Sequence, residues 1–415
     1  MIFFILDFLK SLGIKVPGVF EYYSTRIILA TITTLVISIF FGPRFIRKLY
    51  ELKIGQPIRM EECPLLGELH EKKKDTPTMG GVLILFAMLV AMFLWMNWSY
   101  SFTLILFLTT LFIGALGARD DYLKLKYKNS KGLASRRKFI YQVAFSSLLA
   151  LYLLCPFATS SIQVGSWFEP PFAKEVVAKK SVQLDMEKSN HIEKSLKTHT
   201  LTTREYISRI YIPFIKEPLF SFTGVGLFLM GIFIVVVVTG SSNAVNLTDG
   251  LDGLAAGSVL LVAASLALIA FISNNIDLAS YLNILYIEGS GEIAIYLSAL
   301  VGACLGFLWY NGYPAQVFMG DTGSLSLGAI IGVSAVLLGR EVLLVIIGGI
   351  FVAEALSVIL QVGSYKLRNK KRIFLCSPLH HHFEYKGWAE TKVVIRFWII
   401  GLLLAIVGVA SLKFQ

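Results

Sequence analysis

Acidic and amide side chains stand at three places where a long apolar run of the sequence ends. "ARDDYLK" follows the run "SFTLILFLTTLFIGALG", and "NLTDGLDG" and "FMGDTGS" lie beside two later apolar runs. The residues concerned are Asp120, Asp121, Asn246, Asp249, Asp252 and Asp321. A carboxylate near hydrocarbon is costly unless it is paired, solvated or bound to a cation. Oxygen ligands among glycines are typical of a magnesium-phosphate site, so the segments predict that chemistry.

The aspartate pair also has an ordinary interpretation. Asp120 and Asp121 fit a helix end at which Arg119 and Lys124 form weak surface ion pairs. Adjacent positions on a helix point about 100° apart. We therefore expect the two aspartates to have different roles.

The two glycine-rich segments have structural alternatives as well. Asp249 and Asp252 share a helical face if their segment is helical, but a turn followed by a helix cap fits too. Near Asp321, Asn311 offers an amide and Phe318 a ring, groups suited to reading and stacking a nucleobase. The alternative is a capped helix start with Phe318 in the core.

Two basic or histidine-rich segments could meet phosphate. "HEKKKDTPTMGG" places Lys72–Lys74 before Thr76-Pro77, a natural start for a helix, although such a charge run also serves as a membrane anchor. In "SPLHHHFE", His380–His382 cannot all face one metal from a helix, and zinc-site spacing is absent. One or two imidazoles binding phosphate beside "KLRNKKR" is the favoured interpretation, against a solvated loop.

The elements that position these segments are membrane helices. The 415 residues are 55% hydrophobic and 16% charged. Runs of about 20 apolar residues cross a bilayer. Ten such runs predict an all-α polytopic membrane protein with one domain, 1–415. They lie near 24–42, 79–97, 102–118, 138–155, 221–240, 256–273, 291–309, 324–338, 342–363 and 393–412, the eighth being short.

The distribution of basic residues predicts the orientation. Residues 43–78, 119–138 and 366–392 hold eight, eight and seven Lys or Arg, whereas 98–101 and 274–290 hold none. Basic short loops stay in the cytoplasm, so all the polar segments above face the cytoplasm and both termini lie outside. The net charge of +11 is thereby explained without nucleic acid. The apolar N-terminus, 1–15, is interpreted as a helix at the membrane interface.

An enlarged outer loop, 156–220, separates the fourth and fifth predicted spans. The alternation in "YISRIYIPFIKEP" within it predicts a short strand or hairpin. The function of this loop cannot be inferred from its composition.

Five segments together resemble the signature segments of the phospho-N-acetylmuramoyl-pentapeptide transferases, or translocase I family. These segments are "TPTMGG", "DDYLK", "NLTDGLDG", "FMGDTGSL" and "SPLHHHFE", in the family's order. The resemblance covers nearly all the predicted spans but not the long outer loop. It implies transfer of phospho-MurNAc-pentapeptide from UDP-MurNAc-pentapeptide to undecaprenyl phosphate, giving lipid I and UMP for peptidoglycan synthesis. It also implies Mg²⁺, the bacterial inner membrane, a cytoplasmic active site and a homodimer.

The resemblance also implies roles for individual residues. The family's aspartate pair falls on Asp120 and Asp121, its magnesium aspartate on Asp321, and its functional histidines on His380 and His381. The residues that would bind substrate are Lys73, Thr78, Asn246, Asp249, Asp252, Asn311, Phe318 and His381. In the expected mechanism Asp321 holds Mg²⁺ on the diphosphate, and Asp120 takes the proton of the lipid phosphate.

Two other functions stay open at this point. One is a sister transferase that moves GlcNAc-1-phosphate from UDP-GlcNAc to a polyprenyl phosphate. The other is a cation-coupled transporter, which needs carboxylates near the bilayer midplane. Glu354 and, less clearly, Glu292 are the acidic residues within predicted spans.

Overall fold

The computed structural model describes residues 18–52, 76–127, 132–155, 170–176 and 198–414, with Leu6 and residues 10–13. The predicted interfacial helix at 1–15 lies mostly outside these residues. The basic run Lys72–Lys74, including Lys73, lies outside them entirely.

Helices dominate the described part of the chain, as the apolar runs predict. In chain order they are α1 (Tyr23–Glu51), α2 (Gly81–Trp95), α3 (Ser101–Lys126), α4 (Ser135–Leu154), α5 (Thr203–Ile207), α6 (Gly226–Thr248), α7 (Leu254–Ser273), α8 (Ile276–Tyr281), α9 (Ser290–Asn311), α10 (Gly320–Leu337), α11 (Glu341–Ile347), α12 (Gly349–Leu367), α13 (Leu379–Tyr385) and α14 (Glu390–Ser411). The all-α polytopic fold class is confirmed.

Eight of these helices are long and apolar enough to cross a membrane: α1, α3, α6, α7, α9, α10, α12 and α14. The other two predicted spans are helical as well. Helix α2 has only 15 residues, and α4 has 20 residues but begins with the basic sequence "SRRK". The predicted span at 342–363 is divided at Gly348 into α11 and α12.

Helices α9 and α10 form the centre of the bundle. Helix α9 packs between α1 and α7, while α10 packs against α3 and α6. Helix α10 is rich in glycine and serine, and small residues let helix backbones approach closely in a membrane. A Cβ atom at Gly328 would overlap the backbone of Ser241 and Ser242 in α6. The close packing therefore fixes α10, which carries Asp321, against its neighbours.

A buried ion pair connects two helices, α1 and α9, at one end of the bundle. Arg26 Nη1 lies 2.7 Å from Glu292 Oε1, and both side chains are almost fully buried. Glu292 also accepts a hydrogen bond of 2.8 Å from the backbone N–H of Asn97. A buried charge pair requires such additional hydrogen bonds to offset its desolvation. Glu292 thus links the start of α9 to α1 and to the connection after α2.

The long loop predicted at 156–220 contributes strands to two small sheets. The strands of the described residues are β1 (Ala173–Val176), β2 (Thr198–Leu201), β3 (Arg209–Ile210), β4 (Phe220–Ser221) and β5 (Tyr286–Ile287), of which β5 lies outside the loop. Strand β1 pairs antiparallel with both β2 and β5, so the loop is joined to the connection between α8 and α9. Strands β3 and β4 pair antiparallel. Strand β3 lies within "YISRIYIPFIKEP", where the alternation predicts a short strand or hairpin, whereas β4 begins after that segment.

Candidate active site

Three carboxylates converge at the end of the bundle where α3 ends and α10 begins. One carboxylate oxygen from each of Asp120, Asp121 and Asp321 lies within 4.8 Å of the others. Asp120 and Asp121 are fully buried, whereas 15% of the Asp321 side chain is exposed. Residues 200 positions apart therefore form one cluster, as the sequence predicts from the common face of their loops.

Asp121 holds the first turn of α10 in place. Its carboxylate accepts hydrogen bonds from the backbone N–H groups of Asp321, at 3.1 Å, and Thr322, at 2.9 Å. The hydroxyl of Thr322 donates a third bond, of 2.6 Å. A carboxylate at a helix N-terminus satisfies free N–H groups and interacts favourably with the helix dipole. Asp121 therefore positions Asp321, while Asp120 has other partners.

Asp120 and Asp321 share the ammonium groups of two lysines. Lys124 Nζ lies 2.7 Å from Asp120 Oδ2 and 3.0 Å from Asp321 Oδ2. Lys138 Nζ donates to the same two oxygens, at 3.3 Å and 2.8 Å. The backbone N–H of Leu133 donates to the second oxygen of Asp120, at 2.7 Å. The charges of this carboxylate pair are thus balanced within the cluster.

The role of Lys138 is not apparent in the sequence. Lys124 follows Asp120 by four positions, which is the usual spacing of a helical ion pair. Lys138, in contrast, belongs to the basic run at the start of α4, and such runs are usually membrane anchors. Only the packing of α4 beside α3 and α6 brings its ammonium group to Asp321.

Asn246 orients Asp321 from the side of α6. Its amide donates to Asp321 Oδ1, at 2.9 Å, and to the hydroxyl of Ser324, at 2.8 Å. The first oxygen of Asp321 is therefore fixed, and the second oxygen faces the lysines. The resemblance implies that Asn246 binds the nucleoside, and the structure places its amide against the cluster.

The "TPTMGG" segment lies directly beside "FMGD". The backbone N–H groups of Gly80 and Gly81 donate to the carbonyls of Phe318 and Met319, each at 2.8 Å. Buried Thr78 faces Gly320, where a Cβ would lie 2.9 Å from the threonine hydroxyl. The signature segment before α2 therefore forms one wall of the cluster, and the ring of Phe318 stays partly exposed.

Residues 249–253 form a loop, not a helix, between α6 and α7. Asp252 accepts a hydrogen bond of 3.0 Å from the N–H of Ala315. Asn311 accepts one of 3.0 Å from Gly253 and donates one of 2.8 Å to the carbonyl of Val317. Asp252 and Asn311 thus hold this loop against residues 312–319, which bear Phe318 and precede Asp321.

Asp249 lies at the start of the same loop and faces the acidic cluster. Burial, followed by the negative charges of Asp321, Asp121 and Asp252, raises its pKa from 3.8 to about 8. The carboxyl group of Asp249 is therefore protonated at neutral pH in this structure. A protonated carboxyl group is a hydrogen-bond donor, which suits contact with a carbonyl or a phosphate oxygen.

This pKa predicts the pH dependence of an Asp249→Asn variant. Because the folded pKa lies above the unfolded value, the folded chain binds an extra proton between about pH 4 and pH 8. The associated stability is complete below pH 4 and is lost as the pH rises through 8. We expect the variant to gain thermal stability over the parent protein between pH 6 and pH 9, measured by melting in detergent. A difference in melting temperature that is constant over this range would contradict the prediction.

The histidine segment approaches the site through the loop of Asp249. The ring of His380 is fully buried, and a Cβ on Gly250 would lie 2.9 Å from His380 Cε1. The backbone N–H of His380 donates to Glu354 Oε1, at 3.1 Å. The ring atom Nδ1 lies 3.1 Å from Glu354 Oε2, but the geometry between them is not that of a hydrogen bond. His381 Nδ1 lies 2.7 Å from Glu384 Oε2.

The donor set of the cluster fits a divalent cation. The facing oxygens of Asp120 and Asp321 are the hard ligands that Mg²⁺ prefers. Asp121 is engaged by three donors from α10, so it supports the pair and leaves ligation to its neighbours. The glycines beside the cluster let the surrounding backbone segments approach it closely, and the lysines supply positive charge for an anion.

Comparison with known proteins gives a consistent result. Residues 195–339 match the model for Glycosyl transferase family 4, and residues 73–85 match the phospho-N-acetylmuramoyl-pentapeptide-transferase signature 1. A phospho-N-acetylmuramoyl-pentapeptide-transferase of Protochlamydia amoebophila is 65% identical, with 100% of both chains covered. Proteins of the same name from Francisella philomiragia and Desulfotalea psychrophila are 44% and 41% identical. The Francisella protein aligns with 95% of this chain over 94% of its own length, and the Desulfotalea protein aligns with 96% of this chain over 96% of its own length.

Proposed function

The chain belongs to the phospho-N-acetylmuramoyl-pentapeptide-transferase family, and we propose from this premise that its acidic cluster is a magnesium site for phosphoryl transfer. The protein is a multi-pass transferase of the bacterial inner membrane that forms lipid I in peptidoglycan synthesis. The proposed donor is UDP-MurNAc-pentapeptide, the proposed acceptor is undecaprenyl phosphate, and UMP leaves.

The convergence of Asp120 and Asp321 carries the proposal. Phosphoryl transfer requires positioning and charge neutralisation more than covalent chemistry. Mg²⁺ supplies positive charge to the diphosphate when it is bound. Asp321 would hold the ion, with its orientation set by Asn246 and by Asp121 at the start of α10. The partly exposed position of Asp321 supports this role, since an ion that also contacts substrate must be reachable from outside the protein.

Asp120 is our proposed acceptor for the proton of the lipid phosphate. In this structure its Oδ2 atom is covered by the ammonium groups of Lys124 and Lys138. Asp120 reaches a substrate only when these ammonium groups turn aside. The proton transfer therefore depends on a rearrangement of the lysines when substrate enters.

The remaining polar residues are proposed to bind the donor substrate. Phe318 is proposed to stack on uracil, because this residue is partly exposed and directly precedes the segment that carries Asp321. Lys73, Thr78 and His381 are proposed to contact the nucleotide, and Thr78 already lies against Gly320. The amide of Asn311 and the carboxylate of Asp252 join residues 249–253 to residues 312–319. Both side chains are proposed to shape the pocket for the uracil base. Asp249 is proposed to donate a hydrogen bond to the substrate, and His380 to steady its phosphates from behind Gly250.

The site is proposed to face the cytoplasm, with both chain termini outside. Basic residues crowd the end of the bundle that carries the site, at the end of α3, the start of α4 and the residues after α12. The positive-inside rule assigns such an end to the cytoplasm. The homodimer that the family resemblance implies stays a prediction.

The transporter alternative is not favoured by the surroundings of the two carboxylates within the spans. Glu292 pairs with Arg26, and Glu354 accepts the backbone N–H of His380. Both carboxylates therefore stabilise contacts between a helix and a neighbouring segment. The acidic cluster lies at the end of the bundle, where a nucleotide can reach it, and not near the middle of a span.

A reconstituted assay tests the function. Purified protein is given UDP-MurNAc-pentapeptide, undecaprenyl phosphate and Mg²⁺, and UMP and the lipid product are measured with and without a chelator. We expect both products only in the presence of Mg²⁺. A parallel reaction with UDP-GlcNAc tests the sister activity, for which we expect no UMP. Full turnover with the chelator present would refute the proposed role of the metal.

A further inference from the structure

The ammonium group of Lys138 occupies the position between Asp120 and Asp321 that a bridging cation would take. It donates a hydrogen bond to Oδ2 of each residue, at 3.3 Å and 2.8 Å. Lys124 Nζ lies near the same oxygens, but it comes from the helix that carries Asp120. Lys138 comes from α4, and it therefore joins the carboxylates of α3 and α10 from a third helix.

We propose that Lys138 and the divalent ion exchange at Asp120 and Asp321, so that the lysine holds the two carboxylates together until the metal replaces it. This inference rests on the proposed magnesium site and adds a competition within it. The two carboxylates are already matched by the ammonium groups of Lys124 and Lys138, so a magnesium ion at the same oxygens would bring a large excess of positive charge, and like charges repel strongly at such short distances. One cation must leave when the other binds.

The side chain of Lys138 is suited to this exchange. A lysine side chain carries its charge on a flexible stem of four carbons, so the ammonium group moves without a change in the helix. The side chain is 20% exposed, so the protein does not fully enclose it. When displaced, the ammonium group is free to contact an anionic phosphate, and Oδ2 of Asp120 loses one of its two ammonium partners. The same movement thus prepares the site for a phosphate substrate.

The exchange predicts that loss of the lysine tightens metal binding. We expect Lys138→Met to bind Mn²⁺, used as a spectroscopic substitute for Mg²⁺, at least about ten times more tightly than the parent protein. Turnover at saturating Mg²⁺ falls in the same variant, because the charge for the phosphate is missing. Damage to the fold would weaken metal binding, so the increase in affinity separates competition from a structural defect.

Two matched variants serve as controls. Lys126→Met removes the same charge from an exposed position in the last turn of α3, and we expect a change in Mn²⁺ affinity of less than about threefold. Lys138→Arg keeps the charge, so its affinity stays at or below that of the parent protein. Equal or weaker Mn²⁺ binding by Lys138→Met would overturn the proposal.

A second measurement uses the unmodified chain and covers the case in which Lys138→Met does not fold. Lysines are acylated briefly with an amine reagent, with and without Mg²⁺, and the modification at Lys138 is measured by mass spectrometry. We expect Mg²⁺ to increase the modification of Lys138 and to leave that of Lys126 unchanged. No increase at Lys138 would overturn the exchange. If the parent protein binds no Mn²⁺ at all, the magnesium site itself is refuted.

Discussion

Asp321→Asn is expected to lower the rate of lipid I formation about a thousandfold or more. Asp321 is the one partly exposed carboxylate of the cluster, and its charge is the main attraction for a metal ion at that point. Removing a group that stabilises charge in a phosphoryl-transfer site has effects of about this size. The amide has nearly the same shape as the carboxylate, so the fold is expected to persist. The measurement is turnover in the reconstituted assay over a range of Mg²⁺ concentrations.

Asp277→Asn is the matched control for this substitution. Asp277 is an exposed acidic residue in the short helix α8, within the connection that contributes β5 to the sheet. We expect parental turnover and an unchanged Mg²⁺ requirement from this variant. A turnover of Asp321→Asn within about tenfold of the parent protein would show that Asp321 is not the metal ligand.

Gly117→Ala is expected to reduce turnover about a hundredfold, although residue 117 bears no functional group. A Cβ at this position in α3 would lie 2.6 Å from Thr322 Cα and would overlap the backbone of Asp321. The first turn of α10 must therefore move away from Asp120 and Asp121. A misplacement of about 1 Å in a catalytic group costs a rate factor of this order. The melting temperature is expected to fall as well, because overpacking costs about 1–3 kcal/mol.

The control for Gly117 is Gly240→Ala in α6. A Cβ at Gly240 meets no atom within 4 Å, and alanine favours a helix over glycine. We expect parental turnover and an equal or higher melting temperature. If Gly117→Ala also kept parental turnover, the close contact between α3 and α10 would not be what positions Asp321.

The convergence of the carboxylates was predictable from charge and hydropathy. Apolar runs gave the spans, and basic loops assigned Asp120 and Asp321 to the same end of the bundle. The exception is the span at 342–363, which the structure divides at Gly348. A glycine within an apolar run gives no sign of a break that depends on packing against other helices.

The partners of the site residues were not predictable in the same way. Lys138, Asn246 and Asp321 meet through contacts between distant helices, and no local periodicity encodes such contacts. Asn311 has the residue type of a base-reading amide, yet its amide group bonds Gly253 and Val317. Residue type alone does not distinguish a side chain that contacts substrate from one that holds the loop around it.

The central claim is that Asp321, with the carboxylate of Asp120 beside it, holds one divalent ion, and Mn²⁺ titration followed by electron paramagnetic resonance tests it most directly. The titration is made on the purified protein with UDP-MurNAc-pentapeptide present and no lipid acceptor. We predict one Mn²⁺ site per chain that Mg²⁺ displaces, and loss of this site in Asp321→Asn. Binding of Mn²⁺ to Asp321→Asn with the affinity of the parent protein would contradict the account.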